Sequence, residues 1–199
     1  VNKLQSHPQY PSLFKQAFGT DVVTSKLIFF AIAQFERTLI SANSKFDQWK
    51  RGEATLTAQE QRGLDVYTND QKGDCTHCHS LGSTFTDFEF RNTGLDSIPV
   101  DKGRALITLD SDDDGKFKTP TLRNIAMTPP YMHDGRFATL RQCIEHYNIN
   151  FKYTKNLAPE LKILPKNRMT EGDIDDLIAF LETLTDHEFI NNKNFDKPE

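Results

Sequence analysis

The stretch Cys75-Thr76-His77-Cys78-His79 is the part of the sequence whose residue types and spacing point to definite chemistry. Two thiols separated by two residues and followed at once by an imidazole form the attachment signature of haem c. In that chemistry the thiols form thioethers with the two vinyl groups of the porphyrin, and the histidine binds the iron from the proximal side. The two spacer side chains are expected to point away from the ring. The motif therefore predicts one covalent haem c held by Cys75, Cys78 and His79.

Two other roles of paired cysteines fit this pattern less well. A structural zinc site needs four ligands, and no second Cys/His pair at close spacing accompanies the first. A thioredoxin-like redox pair lies between a strand and a helix, whereas here a helix is predicted before the motif and Ser80-Leu-Gly follows it. The third cysteine, Cys143, is interpreted as a small buried hydrophobic residue. Three cysteines in 199 residues also exclude a disulfide-rich scaffold.

Composition and charge exclude several classes of protein. At roughly 150 residues per domain, 199 residues correspond to one domain with an appendage, and 15 Phe can supply a core. The net charge of −4 leaves no broad basic surface, so nucleic acid is not an expected partner. The longest apolar run, Leu27–Ala33, is far shorter than the ~20 residues of a membrane span. The chain begins at Val1 without a signal peptide, which suggests a processed or truncated sequence.

Hydrophobic periodicity and capping signals predict a mainly α fold. The predicted helices cover residues 10–18 (closed by Gly19), 21–40, 57–67, 139–147 and 170–184. Capping boxes open three of them, at Thr57, Thr139 and Thr170. The connecting regions are predicted to be a polar connector at 41–52, a long ordered loop at 80–120 with extended pieces around 85–90 and 105–109, and one or two helical turns within 119–127.

Further motifs accompany the haem signature in a fixed order. They are Ala33-Gln-Phe-Glu-Arg-Thr-Leu39, Phe85-Thr-Asp-Phe88, Asn92-Thr-Gly-Leu95, Lys118-Thr-Pro-Thr-Leu-Arg-Asn124, Pro130-Tyr-Met-His-Asp-Gly-Arg-Phe-Ala-Thr-Leu140, His146-Tyr-Asn148 and Asp176-Leu-Ile-Ala-Phe-Leu181. Together they resemble the C-terminal half of bacterial dihaem cytochrome c peroxidases and of their MauG-type relatives, over nearly the whole chain. The resemblance implies a class I cytochrome c-like α domain over residues 51–199, in which helix 57–67 crosses helix 170–184. Residues 1–50 would form a helical inter-domain extension.

The family carries two haems, each with its own attachment signature, whereas this sequence has one. The resemblance therefore implies the electron-transfer half of a dihaem oxidoreductase, incomplete without an N-terminal peroxidatic haem domain. A small electron-donor protein would supply electrons and hydrogen peroxide would accept them; in the MauG branch a protein side chain would be oxidised instead. A stand-alone monohaem electron carrier is the alternative, as is a cleaved subunit that binds a separate partner through residues 1–50. Because haem c is attached outside the cytoplasmic membrane, the expected location is the periplasm.

The sixth ligand of the iron stays open between three possibilities. Methionine raises the reduction potential, a tyrosine phenolate stabilises ferric iron, and an open position lets peroxide bind. Counted from His133, the family's axial position falls on Tyr147, and MauG-type proteins have a tyrosine at this place. Met132 and an open or water-filled position are the alternatives. His133 itself resembles the family's pocket histidine and is the candidate catalytic residue.

Other residues are assigned more simply. The resemblance implies a Ca²⁺ ion bound through the backbone carbonyls of Thr128 and Pro130. The stretch Asp110-Ser-Asp-Asp-Asp-Gly115 matches the first half of an EF-hand loop, but it lacks the bidentate Glu and is interpreted as an acidic solvated turn. Arg123 is either a partner of a haem propionate or a surface arginine. The remaining histidines are interpreted as surface residues or as residues behind the ligands: His7, His77, His146 and His187.

Overall fold

The computed structural model describes residues 1–82 and 84–196; residue 83 and residues 197–199, which fall in the predicted cytochrome domain, lie outside the described residues. The described chain is mainly helical, as predicted. Its α-helices are α1 (Asn2–Gln5), α2 (Tyr10–Phe18), α3 (Ser25–Glu36), α4 (Lys45–Lys50), α5 (Ala58–Thr68), α6 (Ala105–Thr108), α7 (Leu140–Glu145), α8 (Pro159–Ile163), α9 (Glu171–Glu182) and α10 (His187–Ile190). Short 3₁₀ turns lie at Cys75–His77, Ser111–Asp113, Ile125–Met127 and Lys193–Phe195, and a π turn lies at His146–Asn150. Two short strands, β1 (Phe90–Arg91) and β2 (Phe117–Lys118), pair antiparallel, with Phe90 opposite Lys118 and Arg91 opposite Phe117.

The chain forms two compact units, residues 1–41 with the segment from Asn191, and residues 42–190. Residues 42–50, which the sequence analysis assigned to the extension, pack within the larger unit. There the predicted polar connector contains α4, because Ser44 and Asp47 form a capping box and Phe46 is buried in the core. The division into two domains stays a prediction.

The smaller unit contains α2 and α3. Helix α2 ends at Gly19, whose φ of 76° is in the left-handed region that favours glycine, as its sequence predicted. Helix α3 begins after Thr24 and is shorter than the predicted span of 21–40. Its apolar side chains are not buried: Phe29 is 66% exposed and Phe30 52%. The periodicity therefore identified a helix but not a buried face.

The core of the larger unit lies where α5 crosses α9, as predicted for residues 57–67 and 170–184. Gly63 permits the close crossing, because an added Cβ would lie 1.9 Å from the backbone oxygen of Asp176. At the edge of the same crossing, Arg62 forms an ion pair with Asp176 at 2.7 Å. The capping boxes predicted at Thr57, Thr139 and Thr170 are all present. The fully buried aromatics of the main core cluster are Phe46, Tyr67, Phe85 and Phe180, and Phe151 is fully buried in a second cluster.

The region 80–120 differs from its prediction in detail. The extended piece predicted at 105–109 is wrong, because α6 forms there: the amide groups of Thr108 and Leu109 donate to the carbonyls of Arg104 and Ala105. Within residues 85–90, only Phe90 belongs to a strand, and Phe85 takes a φ of 51°. Of residues 119–127, only Ile125–Met127 is helical. The β-branched and aromatic residues of this region favour extended backbone, but hydrogen bonds within turns determine its conformation.

Candidate haem-binding site

The attachment signature lies in one tight turn at the C-terminal side of α5. A 3₁₀ turn spans Cys75–His77, and the amide of His79 donates to the carbonyl of Cys75 at 2.8 Å. Both Cys75 and Cys78 are free thiols. The spacer His77 is exposed and its Nδ1 lies 2.6 Å from a carboxylate oxygen of Asp74, so it points away from the thiols as expected.

His79 is held in the orientation that a metal ligand needs. Its Nδ1 lies 2.9 Å from the carbonyl oxygen of Phe85, which only accepts a hydrogen bond, so Nδ1 carries the proton. This assignment leaves Nε2 as the nitrogen whose lone pair can bind iron. Burial lowers the pKa of His79, although the carbonyls of Phe85 and Pro120 oppose the shift, so the neutral form is favoured. The hydroxyl of Tyr67 also donates to the carbonyl of His79, which fixes the backbone of the turn.

Burial also controls the two thiols. It raises the pKa of Cys75 to about 12 and the pKa of Cys78 to about 11, so both stay protonated at neutral pH. Two free thiols and one neutral imidazole on a single turn are the donor set of haem c. By the chemistry of its donors, the turn fits the cofactor that the sequence predicted.

Tyr147 lies on the π turn that follows α7. Burial raises the pKa of Tyr147 above its usual value, and the neighbouring thiols of Cys143, Cys78 and Cys75 act in the same direction. A hydrogen bond with Thr93 opposes these shifts. Arg168 donates hydrogen bonds to the carbonyls of Tyr147 and Lys72, and so links the Tyr147 turn to the backbone that leads into Cys75. The role of Tyr147 as the distal ligand stays a prediction.

His146 was interpreted as a surface residue or a residue behind the ligands, and the structure shows it buried, at 2% exposed. Its Nε2 lies 3.0 Å from the carbonyl oxygen of Thr93, and its ring lies 5.3 Å from the Tyr147 ring, centre to centre. Burial lowers the pKa of His146. A π turn holds more residues than an α turn and shifts which side chains face inward, so α-helical periodicity could not indicate this burial.

Known proteins match the chain over both units. Residues 1–55 match the family model described as di-haem cytochrome c peroxidase. The methylamine utilization protein MauG of Methylophilus methylotrophus is 35% identical over 185 residues, which cover 92% of this chain and 54% of that protein. Cytochrome c551 peroxidase of Nitrosomonas europaea is 35% identical, with 90% and 50% covered. The crystal structure of a MauG-like protein associated with microbial copper homeostasis matches 99% of this chain and 64% of that chain, at 32% identity and a TM-score of 0.82.

The chain belongs to the dihaem cytochrome c peroxidase and MauG family. Its fold is the cytochrome c-like helical fold of that family. As a member of a family of haem peroxidases, it is expected to bind haem c. The chain spans about half the length of the curated relatives it matches. In residues 1–82 and 84–196, no helix has the length and apolar character to cross a membrane.

Arg123 is not a surface arginine, because its side chain lies in an ion pair. Its guanidinium binds both carboxylate oxygens of Asp47, at 2.8 and 3.0 Å, and both side chains are largely buried. The guanidinium also lies 5.5 Å from the centre of the Phe85 ring. Arg123 therefore supports the segment that supplies the hydrogen bond to His79. Its predicted contact with a haem propionate stays a prediction.

Met132 and His133 differ in their exposure to solvent. Met132 is half-buried with a φ of 71°. His133 is exposed, and its ring stacks on that of Phe117 with centres 3.8 Å apart. Asp96 and Asp134 are its charged neighbours. The described contact of His133 is therefore with an aromatic ring, and its catalytic role stays a prediction.

The predicted calcium site gains no further ligands from the described residues. The hydroxyl of Thr128 donates to the carbonyl of Ile125 at 3.2 Å, and Pro130 follows a cis peptide bond. Within the described chain, no group of three or more His, Cys, Asp or Glu side chains could hold a metal ion. Two carbonyls fall short of the six to eight oxygens that Ca²⁺ takes.

The acidic stretch 110–115 forms a turn tied by hydrogen bonds and ion pairs. Asp110 caps the amide of Asp112 at 2.8 Å, and Asp113 binds Arg104 and Lys116, each at 3.0 Å. Its carboxylates therefore have protein partners on several sides.

Proposed function

We propose that this chain is the haem c electron-transfer part of a dihaem peroxidase-type oxidoreductase. The observation that carries the proposal is the hydrogen bond of 2.9 Å between Nδ1 of His79 and the carbonyl of Phe85, next to two unpaired thiols. It presents a neutral imidazole whose other nitrogen can bind iron. When bound, haem supplies one-electron redox chemistry that the amino acids themselves lack.

The protein's own residues would have separate tasks around that cofactor. Cys75 and Cys78 would anchor it, so that a small domain retains a large apolar ring. His79 would be the proximal ligand. Tyr147 would be the distal ligand, because Arg168 ties its turn to the backbone that leads into the attachment turn; Met132 and an open position are the alternatives. Phe85 and the buried aromatic core behind it would exclude water from the proximal side.

The partner of this part is proposed to be a second, peroxidatic haem domain. Helix α3 presents a large apolar face, with Phe29, Phe30, Ile32 and Phe35 all about half exposed or more. A groove of about 670 Å³ between α2 and α3 is lined mainly by apolar residues, with Gln34, Arg37 and Thr38 among them. Residues 1–55 match the dihaem peroxidase family model, and the relatives are about twice as long as this chain. The other haem domain of the family is therefore the proposed occupant of this face.

The reaction follows from the proposed partner. A small donor protein would reduce the haem of this chain, and the electrons would pass to the peroxidatic haem, where hydrogen peroxide is reduced to water. Oxidation of a protein side chain is the second candidate, because the chain is 35% identical to a methylamine utilization protein MauG and the family resemblance implies the MauG-type tyrosine at position 147. We also propose that the protein is periplasmic. His133 is proposed as a catalytic residue, and the backbone carbonyls of Thr128 and Pro130 are proposed as calcium ligands.

Maturation and single-turnover kinetics test this function. The chain is produced in a bacterial host with a cytochrome c maturation system, and covalent haem is measured by its absorption after denaturation. The reduced protein is then mixed with hydrogen peroxide, alone and together with the peroxidatic haem domain of a relative. We expect slow oxidation alone and fast oxidation with the second domain.

Two results would contradict the proposal. A correctly matured protein without covalent haem would exclude the cofactor. A haem protein that exchanges electrons rapidly with small cytochromes, but never with the second haem domain, would instead be a stand-alone carrier.

A further inference from the structure

Residues 167–170, here called the strap, connect the two turns that carry the proposed haem ligands. Arg168 is at the centre of the strap, and its Nη1 donates to the carbonyl of Tyr147 at 3.0 Å. Its Nε donates to the carbonyl of Lys72, and its Nη2 lies 3.4 Å from the carbonyl of Gly73. One side chain therefore contacts the distal turn and the backbone that leads directly into Cys75.

The distal end of the strap is fixed by a buried asparagine. The side chain of Asn148, 3% exposed, donates to the carbonyl of Met169 at 2.9 Å and accepts from its amide at 3.0 Å. The amide of Asn167 donates to the carbonyl of Asn148 at 2.7 Å. These three hydrogen bonds join the strap to the π turn on the residue next to Tyr147.

The other end of the strap leads into α9. Thr170 and Asp173 form its capping box, and Lys72 reaches the carboxylate of Asp173 at 2.6 Å. Gly73 lies close to α5, since an added Cβ would meet the carbonyl oxygen of Val66 at 2.5 Å. The attachment turn is thus held against the same strap that holds the distal turn.

Burying the charged guanidinium of Arg168 in this position costs free energy. Among the described residues, its hydrogen bonds go to backbone carbonyls and none goes to a carboxylate. Burial lowers the pKa of Arg168, which shows that its charge is partly removed from water. A planar guanidinium with donors in several directions can reach two separate turns at once, whereas an ammonium group or an apolar side chain cannot replace that fork.

We propose that Arg168 is a positioning residue that fixes the Tyr147 turn against the haem-attachment turn and so makes Tyr147 the distal ligand. The proposal rests on the proposed function, because it requires haem at Cys75 and Cys78. It goes beyond that function by assigning the choice of distal ligand to a residue whose described hydrogen bonds go to backbone carbonyls.

The test compares Arg168→Met and Arg168→Lys with the wild-type protein, each matured with haem. Arg62→Met is the matched control, because Arg62 is a largely exposed arginine in the same unit, paired with a carboxylate. The readouts are covalent haem per chain, the phenolate bands in the resonance Raman spectrum of the ferric protein, the reduction potential and the thermal midpoint. We expect Arg168→Met to keep its haem, lose the phenolate bands and shift its potential. Arg168→Lys should weaken the bands, and Arg62→Met should leave them unchanged.

The possible outcomes separate this proposal from the proposed function. An Arg168→Met protein with a lower thermal midpoint but wild-type phenolate bands and potential would overturn the proposal, because Arg168 would then be only structural. If Arg168→Met does not fold, Arg168→Lys decides: weakened bands support the proposal and wild-type bands overturn it. Haem-containing wild-type protein without phenolate bands overturns the role of Tyr147 and this proposal together. Colourless wild-type protein overturns the proposed function itself.

Discussion

The Nδ1 atom of His79 lies 2.9 Å from the backbone carbonyl oxygen of Phe85. The position of that carbonyl depends on the Phe85 side chain, which is fully buried although its backbone φ is 51°. The ring packs edge-on against Phe46 at 5.4 Å, and Arg123 lies over it. The orientation of the histidine is therefore set by a cluster of residues that includes two aromatic rings and an ion pair.

Replacing Phe85 by alanine should loosen this cluster. Loss of a buried phenylalanine costs about 3–5 kcal/mol of unfolding free energy, and the carbonyl that holds His79 would lose its support. Urea unfolding of the haem-loaded protein measures the first effect, and the reduction potential measures the second. Phe88→Ala is the control, because Phe88 also has a positive φ but is 57% exposed. Equal effects of the two changes would show that burial of Phe85 is unimportant.

Cysteine replacements should separate attachment from packing. We expect the double change Cys75→Ala and Cys78→Ala to abolish covalent haem, because no thioether can then form. Cys143→Ala should keep it, because Cys143 lies on α7, outside the Cys75–His79 signature, and packs against the hydrophobic core. Haem staining of denatured protein and intact mass distinguish the variants. Covalent haem remaining in the double variant would disprove the assignment of the attachment site.

Tyr147→Phe tests the distal ligand. The change removes one oxygen from a side chain whose turn is linked through Arg168 to the backbone before Cys75, so the phenolate bands of the ferric protein should disappear and the reduction potential should rise. The comparison is Tyr153→Phe, since Tyr153 is 61% exposed. An unchanged spectrum in Tyr147→Phe would shift the assignment to Met132 or to an open position, and Met132→Leu would then distinguish these two.

Gly63→Ala should destabilise the helix crossing. The new Cβ would lie 1.9 Å from the carbonyl oxygen of Asp176, so α5 and α9 must move apart, at a cost of about 1–3 kcal/mol. In Gly172→Ala the nearest atom, Oγ1 of Thr170, is 3.8 Å away, and the smaller entropy of the unfolded chain should leave stability unchanged or slightly raised. Thermal or urea unfolding measures both. A neutral Gly63→Ala would mean that the helices are less tightly packed than described.

Acid should destabilise the protein partly through Asp47. Burial raises the pKa of Asp47, but hydrogen bonds from Arg123 and Ser44 outweigh it, so its pKa in the folded state lies below the usual value. The resulting stability is present above the usual carboxyl pKa of about 3.9 and is lost as the pH falls through the lower, folded-state pKa.

Asp47→Asn should therefore unfold with a lower free energy than the wild-type protein at neutral pH. Its unfolding free energy should also fall less than that of the wild-type protein when the pH is lowered into the acidic range. Glu53→Gln, on an exposed ion pair with Arg51, is the control and should retain most of the acid dependence. An Asp47→Asn protein with the wild-type pH dependence would exclude this pair as a cause.

The sequence alone was sufficient for the features set by local chemistry. The attachment signature and the three capping boxes depend on residue types at short spacing, and the described structure contains them. The crossing of the helices at 57–67 and 170–184, which the family resemblance implied, is also present. The family was also evident from the order of the motifs, since each motif is a contiguous stretch. Helix α4 was missed, because its capping box lies in a stretch whose polar residues predicted a connector.

Only the tertiary structure decided which residues meet across long separations in the chain. Asp47 partners Arg123, and Arg168 reaches both Lys72 and Tyr147. Periodicity fixes which face of a helix is apolar, but the burial of that face depends on what packs against it. The same limit explains why the apolar residues of α3 are exposed and why His146, on a π turn, is buried.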